Sequence, residues 1–407
     1  MKRHCLLIAS LLALASCTIP KMPVGLEHVS PAEAGMDPVE LSKVDKPILE
    51  SIGEGNMPGA VLSVVRGDKI VYLKAYGNRE VVPDTVAMTT NTVFDLASLS
   101  KCVGTTLCIM KLIENGELAT DDKVSEYLPE FKPWTDPDSG EQVEISVQDL
   151  LTHASGLPPY LNVQALAERY GEPCPDSTMS YIAREAPRRF RPGTDFMYSC
   201  LNFVTLQNIL QKITGEKLCD YAQANIFDAL ELRNTCYLPL ETKPDLLPLI
   251  APTTVQADGK PLRGVVHDPL ARRLNGGNSG NAGVFSTAED LSVIAAAIIG
   301  GGVVNNYYLL DKETVDLMCK VPKSNDPAIG RALGWDVCSS HSSLKGVKTN
   351  YGRTLCHTGY TGTSIVIDLD AELGIILLTN RCHPKDDGSL KELRAAVSDI
   401  VAGSVIR

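Results

Sequence analysis

The sequence predicts an α+β fold: an antiparallel sheet flanked by helices, with an all-helical domain inserted into it. Strand-like runs gather towards both ends of the chain, and the stretch between them reads as helices and loops. The C-terminal strand runs are joined by links too short for a parallel crossover. At 407 residues the chain also exceeds what one hydrophobic core usually serves, so two sub-domains are expected. The expected division is a leader over 1–16, a tether over 17–36, a discontinuous sheet domain over 37–94 and 284–407, and a mainly helical domain over 95–283.

In chain order, Lys2, Arg3 and His4 precede an apolar run, Cys5 to Leu14, that is too short to span a bilayer and ends in small residues before Cys17. That is a signal peptide. Its ending on a cysteine resembles the bacterial lipobox, which implies cleavage before Cys17 and lipidation of Cys17. The protein is then expected to be exported, anchored to a bacterial membrane through Cys17 and facing the periplasm or cell exterior. Residues 18 to about 36 are polar and proline-bearing, as a tether would be. Asp37-Pro38 reads as an N-cap with proline at the first helical position, opening a helix to about Ile52. Ala60–Arg66 and Lys69–Tyr76, linked by Gly67-Asp68, carry a hairpin signal.

Further on, Ser146 with Asp149 caps a short helix from Val147 to Ala154, and Leu201 to Ile213 forms an apolar helix that Gly215 ends. Ser286-Thr287-Ala288-Glu289 reads as a capping box for a helix from Asp290 to Ile299. Leu333–Cys338, Thr363–Asp368 and Gly374–Thr379 read as strands, and Leu390–Val401 as a closing helix.

Composition excludes several function classes. The formal charge of −11 contains no Lys/Arg cluster, which argues against nucleic acid as a partner. Loss of Lys2 and Arg3 with the leader takes it from −11 to −13. Of twelve cysteines, Cys5 leaves with the leader and Cys17 is the expected anchor. The rest show neither C-x-x-C nor a Cys/His cluster at ligand spacing, so no metal and no cofactor is expected. Some disulfide pairing remains open in an exported chain.

The candidate chemistry centres on Ser98-Leu99-Ser100-Lys101. Serine and lysine three apart share one helix face, which sets an amine beside a hydroxyl, and a lysine kept neutral would activate that hydroxyl as a nucleophile. The pattern is cheap, since Ser342-Ser343-Leu344-Lys345 repeats it, but the second copy opens no apolar helix. Tyr198 follows Pro192-Gly193 at the head of a helix, where nearby cations could make it a proton shuttle. His357-Thr358-Gly359 precedes Tyr360, and could bind an anion and let a backbone N–H reach the substrate. His153, on a short capped helix, reads as a structural residue.

These stretches, with Leu151–Leu157 and Gly280–Thr287, occur in an order that resembles the serine penicillin-binding and β-lactamase-related hydrolases of the class C type. That family includes D-Ala-D-Ala carboxypeptidases, class C β-lactamases and β-lactamase-fold esterases. The resemblance spans about Met57 to Asn380. It implies Ser98 as nucleophile, Lys101 as its activator, Tyr198 as the catalytic tyrosine, and His357 at the first position of the third box. It also implies an oxyanion hole from the N–H groups of Ser98 and Tyr360, with Thr358 and Gly359 lining the substrate. One position departs from the pattern: Cys200 stands where Tyr-x-Asn carries asparagine, and a thiol cannot donate an amide hydrogen bond. Tyr76-Gly77-Asn78 and Tyr160-Leu161-Asn162 match Tyr-x-Asn literally but follow no Pro-Gly, and are set aside. Asn281 stands where relatives often show histidine, in a loop assigned no chemistry.

The expected activity is acyl-enzyme hydrolysis of an ester or amide, namely a D-Ala-D-Ala-type peptide, a β-lactam or a carboxylic ester. The alternative is a lipid-anchored penicillin- or cell-wall-peptide-binding protein with little turnover. The expected partners are a small-molecule or peptide substrate and, through Cys17, the membrane, with the chain a monomer.

Overall fold

The computed structural model describes residues 25–323, 329–337, 339 and 353–406. The leader, Cys17 and the second Ser-x-x-Lys match at Ser342–Lys345 lie outside the described residues.

A seven-stranded sheet forms the centre of one half of the molecule. Its strands are β1 (Glu27–His28), β2 (Gly59–Arg66), β3 (Lys69–Glu80), β4 (Val86–Ala87), and the C-terminal three, 354–358, 364–368 and 373–379. The hairpin of β2 and β3 turns at Gly67-Asp68, as its sequence requires. The register pairs Ala60 with Tyr76, and pairs Thr379 of the last strand with the same Ala60 on its other side. All pairs are antiparallel except β1 on β3. Because β1 joins the sheet, and Leu26 and Met36 are buried, residues 25–36 belong to the folded body, and only the residues before them are left to the expected tether of 17–36.

Both faces of β2 are covered, and successive residues divide between two cores as a period of two demands. Ala60, Leu62 and Val64 pack with α1 (Pro38–Ser42), α2 (Asp45–Gly53) and the closing helix over 391–403. Val61 and Val65 point the other way, into the larger core shared with the helices. The single helix expected from Asp37 to Ile52 is two. Asp37 caps α1 through the N–H groups of Val39 and Glu40, and the chain restarts at Asp45 because Pro47 lacks an N–H and is tolerated only in a first turn.

Between β5 (Phe94–Asp95) and β7 (Val284–Ser286), with β6 (Cys236–Tyr237) pairing on the far side of β7, the described chain is mainly helical. It includes α3 (Leu107–Glu114), α4 (Val147–Leu151), α5 (Val163–Tyr170), α6 (Pro175–Arg184) and α7 (Cys200–Thr214). The α4 capping box is made by Ser146 and Asp149, and Gly215 takes the left-handed conformation that ends α7. α8 (Ala288–Ile299) packs on the sheet opposite α1. Its cap is Thr287, bonded to the Asp290 N–H, because Ser286 is committed to β7. β8 (Thr354–Thr358), β9 (Ser364–Asp368) and β10 (Leu373–Thr379) lead to α9 (Lys391–Gly403).

The strand expected over Leu333–Cys338 is absent as far as it is described, through Val337. Gly334 has φ +80°, its N–H goes to the Leu151 carbonyl, and what remains is two isolated bridges of Asp336, to Arg331 and to Cys356. No helix among the described residues is long and apolar enough to cross a membrane. No disulfide joins one described cysteine to another.

Candidate active site

The site begins where β5 ends. Asp95, fully buried, accepts the Ala97 N–H at 2.9 Å and the His267 N–H at 2.6 Å. The first of these bonds holds Ala97 in the left-handed region, φ 46°. A non-glycine residue there is strained by roughly 1–3 kcal/mol, and such strain gathers at functional turns. The turn sets Ser98 at the cleft wall, half-buried, just ahead of the helical residues. Three successive i→i+3 bonds follow, ending with Lys101 N–H on the Ser98 carbonyl. Lys101 then opens a π-helical stretch to Thr106 instead of the regular α-helix expected.

Lys101 is fully buried. Its Nζ donates to Ser98 Oγ at 3.0 Å and to the Asn281 carbonyl at 2.7 Å, and it hydrogen-bonds the Tyr198 hydroxyl and the Cys200 thiol. Burial works against the ammonium. The Cys200 and Tyr198 groups and the Asp268 carboxylate outweigh it and hold the lysine above its ordinary value. Four acceptor-capable neighbours, Ser98, the Asn281 carbonyl, Tyr198 and Cys200, converge on this amine and favour its ammonium, against the sequence-based expectation of a neutral lysine. Tyr198 also bonds Ser98; burial raises its pKa while Lys101 pulls it down, and the net direction is up. At neutral pH the resting pair is ammonium and phenol.

His357 lies on β8, with its ring 6.0 Å from that of Tyr198. Its Nδ1 pairs with the Thr358 carbonyl at 2.9 Å, which assigns the proton to Nδ1, and Nε2 is buried without a partner among the described residues. Burial, then the Arg331 and Lys101 cations, push it well below the usual histidine value. A neutral imidazole accepts a hydrogen bond but does not bind an anion, which corrects that part of the expectation. The cation is Arg331, 3% exposed, whose Nη1 lies 3.6 Å from Asp336 while Nε and Nη2 find no partner among the described residues.

Gly359 is fixed by crowding. A Cβ there would lie 2.1 Å from Thr363 Oγ1 and 2.4 Å from the Leu96 carbonyl, so the β8 turn can pack on the Ser98 turn only as glycine. Thr361 and Thr363 clamp the two turns together through the carbonyls of Asp95 and Leu96. Neither the Ser98 nor the Tyr360 N–H has an acceptor among the described residues. The Tyr360 side chain turns outward onto Asp386 and is 59% exposed.

Ser98, Tyr198, Arg331, His357, Thr358, Gly359, Tyr360, Arg381 and Arg394 line one cleft of about 780 Å³. Cys200 stands behind it as the first residue of α7, touching Lys101 and Asn281. His153 is buried as a support: with φ 58°, its Nδ1 takes the Ser199 N–H at 3.0 Å and its ring packs 4.4 Å from that of Tyr198. Two contributors escaped the sequence reading, Arg331 and the Asn281 carbonyl. The stretch around Asn281 is noted in the sequence, but nothing in it marks the carbonyl of that residue.

The Beta-lactamase family model matches residues 35–399. An N-acetylmuramyl-L-alanine amidase of Bacillus subtilis (strain 168) is 34% identical over 84% of this chain and 81% of its own length. An Escherichia coli (strain K12) protein with the provisional name D-alanyl-D-alanine carboxypeptidase is 30% identical over 94% of this chain and 92% of its own. The solved structure of EstCE1, described as a hydrolase with promiscuous acyltransferase activity, shares the fold with a TM-score of 0.71 at 24% identity, covering 90% of this chain and 99% of that one.

Proposed function

The chain belongs to the Beta-lactamase family, and on that premise we propose that it is a serine hydrolase that works through an acyl-enzyme at Ser98. The supporting observation is the 3.0 Å contact of Lys101 Nζ with Ser98 Oγ, with the Tyr198 hydroxyl bonded to both. Ser98 Oγ attacks an ester or amide carbonyl, and its proton passes to the Lys101/Tyr198 pair, which must first hold one proton fewer than ammonium plus phenol. The same pair then protonates the leaving group and activates the water that releases the acyl chain. The Ser98 and Tyr360 N–H groups receive the oxyanion, each worth about 3–4 kcal/mol.

The substrate is one with a carboxylate near the scissile bond, held by Arg331 Nε and Nη2, which have no partner among the described residues, while His357 Nε2 accepts a hydrogen bond from a substrate N–H or O–H. A D-alanyl-D-alanine peptide, the compound for which one relative is named, has its terminal carboxylate next to the scissile amide. β-Lactams that bear a carboxylate belong to the same class, whereas short uncharged esters would be turned over without help from Arg331. The protein acts outside the cytoplasm, tethered through a lipidated Cys17. The second reading, a binding protein with little turnover, is favoured by Cys200 at the asparagine position, and a fluorescent penicillin that stays bound without turnover of any ester would establish it. The proposal itself is tested by rates on p-nitrophenyl esters and D-Ala-D-Ala peptides. Ser98→Ala should lose at least ~10³-fold, and an intact Ser98→Ala as fast as the wild type would refute it.

A further inference from the structure

Behind the Tyr360 wall of the cleft stand three side chains that the acyl-transfer chemistry does not use. A ring nitrogen of His267, Sγ of Cys382 and a carboxylate oxygen of Asp386 lie within 4.8 Å of one another. No other group of three or more His, Cys, Asp or Glu side chains converges in this way among the described residues. Cys382 is buried, His267 is half-buried and Asp386 is exposed, so the trio opens to solvent on the Asp386 side. His267 Nδ1 is buried with no hydrogen-bond partner among the described residues, a costly condition for an imidazole nitrogen.

We propose that His267, Cys382 and Asp386 bind a divalent cation of the zinc class, and that loading this site slows the enzyme through Tyr360. One imidazole, one thiolate and one carboxylate, with a fourth position left for water, suit borderline-soft Zn²⁺, whereas Mg²⁺ and Ca²⁺ take oxygen ligands. Tetrahedral zinc, with Zn–S of about 2.3 Å and Zn–N and Zn–O of about 2.0–2.2 Å, holds its ligand atoms roughly 3.4–3.7 Å apart. The site must therefore close by up to about 1.4 Å, and Asp386, at the exposed edge, would do so by exchanging its Tyr360 and Arg381 contacts for the metal.

Binding is a proton exchange without redox change. The Cys382 thiol gives its proton to solvent as the S–metal bond forms, and the imidazole and carboxylate donate lone pairs. Because that thiol must lose its proton, loading strengthens as pH rises.

Tyr360 is the mechanical link. Its hydroxyl donates to Asp386, its ring stacks on His267 at 5.6 Å, and its carbonyl accepts Arg381 Nη2 at 2.6 Å while Arg381 pairs with Asp386 at 2.8 Å. A cation that claims Asp386 takes an acceptor from both Tyr360 and Arg381 and loosens the turn that presents the Tyr360 N–H. The effect on turnover rests on the Ser98 reading, whereas the binding does not.

The test titrates the full chain, free of tag histidines, with Co²⁺ and then Zn²⁺. One equivalent of Co²⁺ should raise a thiolate charge-transfer band in the near ultraviolet that Zn²⁺ erases. Cys382→Ser should abolish the band, and Asp386→Asn, a conservative change at an exposed position, should weaken binding about tenfold or more. Zn²⁺ should slow ester hydrolysis by the wild type far more than by Asp386→Asn, each compared with its own zinc-free rate. No band at millimolar Co²⁺, or a band that survives Cys382→Ser, would overturn the site, and loading without slowed turnover would overturn the inhibition. A protein that binds Co²⁺ as described but hydrolyses no ester would overturn the Ser98 reading and leave the site standing.

Discussion

Lys101 and Tyr198 share a small buried space in which the lysine is stabilised as an ammonium and the tyrosine as a phenol. Both values are raised, so the pair yields the proton that frees a base only above the ordinary range of either group. The deprotonated fraction therefore grows about tenfold per pH unit, and kcat/KM on an uncharged ester should climb steadily from pH 7 to 9.5; a plateau beginning below pH 8 would contradict this. Tyr198→Phe should cost about 10²–10⁴-fold in kcat, the usual weight of a general acid–base group. Arg331 acts on binding. Arg331→Met should raise KM for carboxylate-bearing substrates roughly 10- to 100-fold, since a hydrogen bond to a charged group contributes about 1.5–3 kcal/mol, and leave uncharged esters unchanged. Steady-state kinetics on matched charged and neutral substrates separates the two. Ser98, Lys101 and Tyr198 could be read from the sequence because their chemistry is written in short local patterns. Arg331 and the Asn281 carbonyl could not, since each gains its role from a contact made only when distant segments meet.

The elements hold these residues through a few close approaches. Gly359→Ala would drive a methyl group into Thr363 and the Leu96 carbonyl, separating the β8 turn from the Ser98 turn. Activity should fall at least ~10-fold, with a lower melting temperature, and an unaffected variant would show the packing to be dispensable. At the start of α8, Asp290 accepts the Asn234 N–H and the Thr235 hydroxyl, each at 2.8 Å, yet burial lifts its carboxyl to about 6. Its folded value lies above the unfolded 3.8, so its contribution favours the fold at low pH and is lost as pH rises from about 4 to 6. The difference amounts to roughly 3 kcal/mol at most. Asp290→Asn should therefore gain stability relative to wild type between pH 4.5 and pH 7 in urea melts, and parallel curves would contradict the burial argument. Hairpin, caps and the last two strands were legible because glycine turns and capping boxes are local signals, whereas the strand Thr354–Thr358 was not expected. The break at Pro47 and the loss of a strand at Gly334 arise where one backbone-restricting or backbone-freeing residue overrides the apolar pattern around it.

For the whole molecule, the α+β architecture follows from where strand and helix textures lie along the chain, and the order of its motifs places it with its family. The cluster of His267, Cys382 and Asp386 had no such trace, because folding brings together residues with no ligand spacing in sequence. Anchoring is a whole-chain property, and Cys17→Ser should move the expressed protein from the detergent-extracted membrane fraction to the soluble one, as fractionation would show. The central claim is that this cleft forms an acyl-enzyme at Ser98. Its most direct measurement is mass spectrometry of the acid-quenched protein after exposure to activated esters and β-lactams, with peptide mapping of the adduct. The account predicts a single acyl adduct on Ser98 that is missing from Ser98→Ala; an adduct on Ser342 or on a cysteine would contradict it.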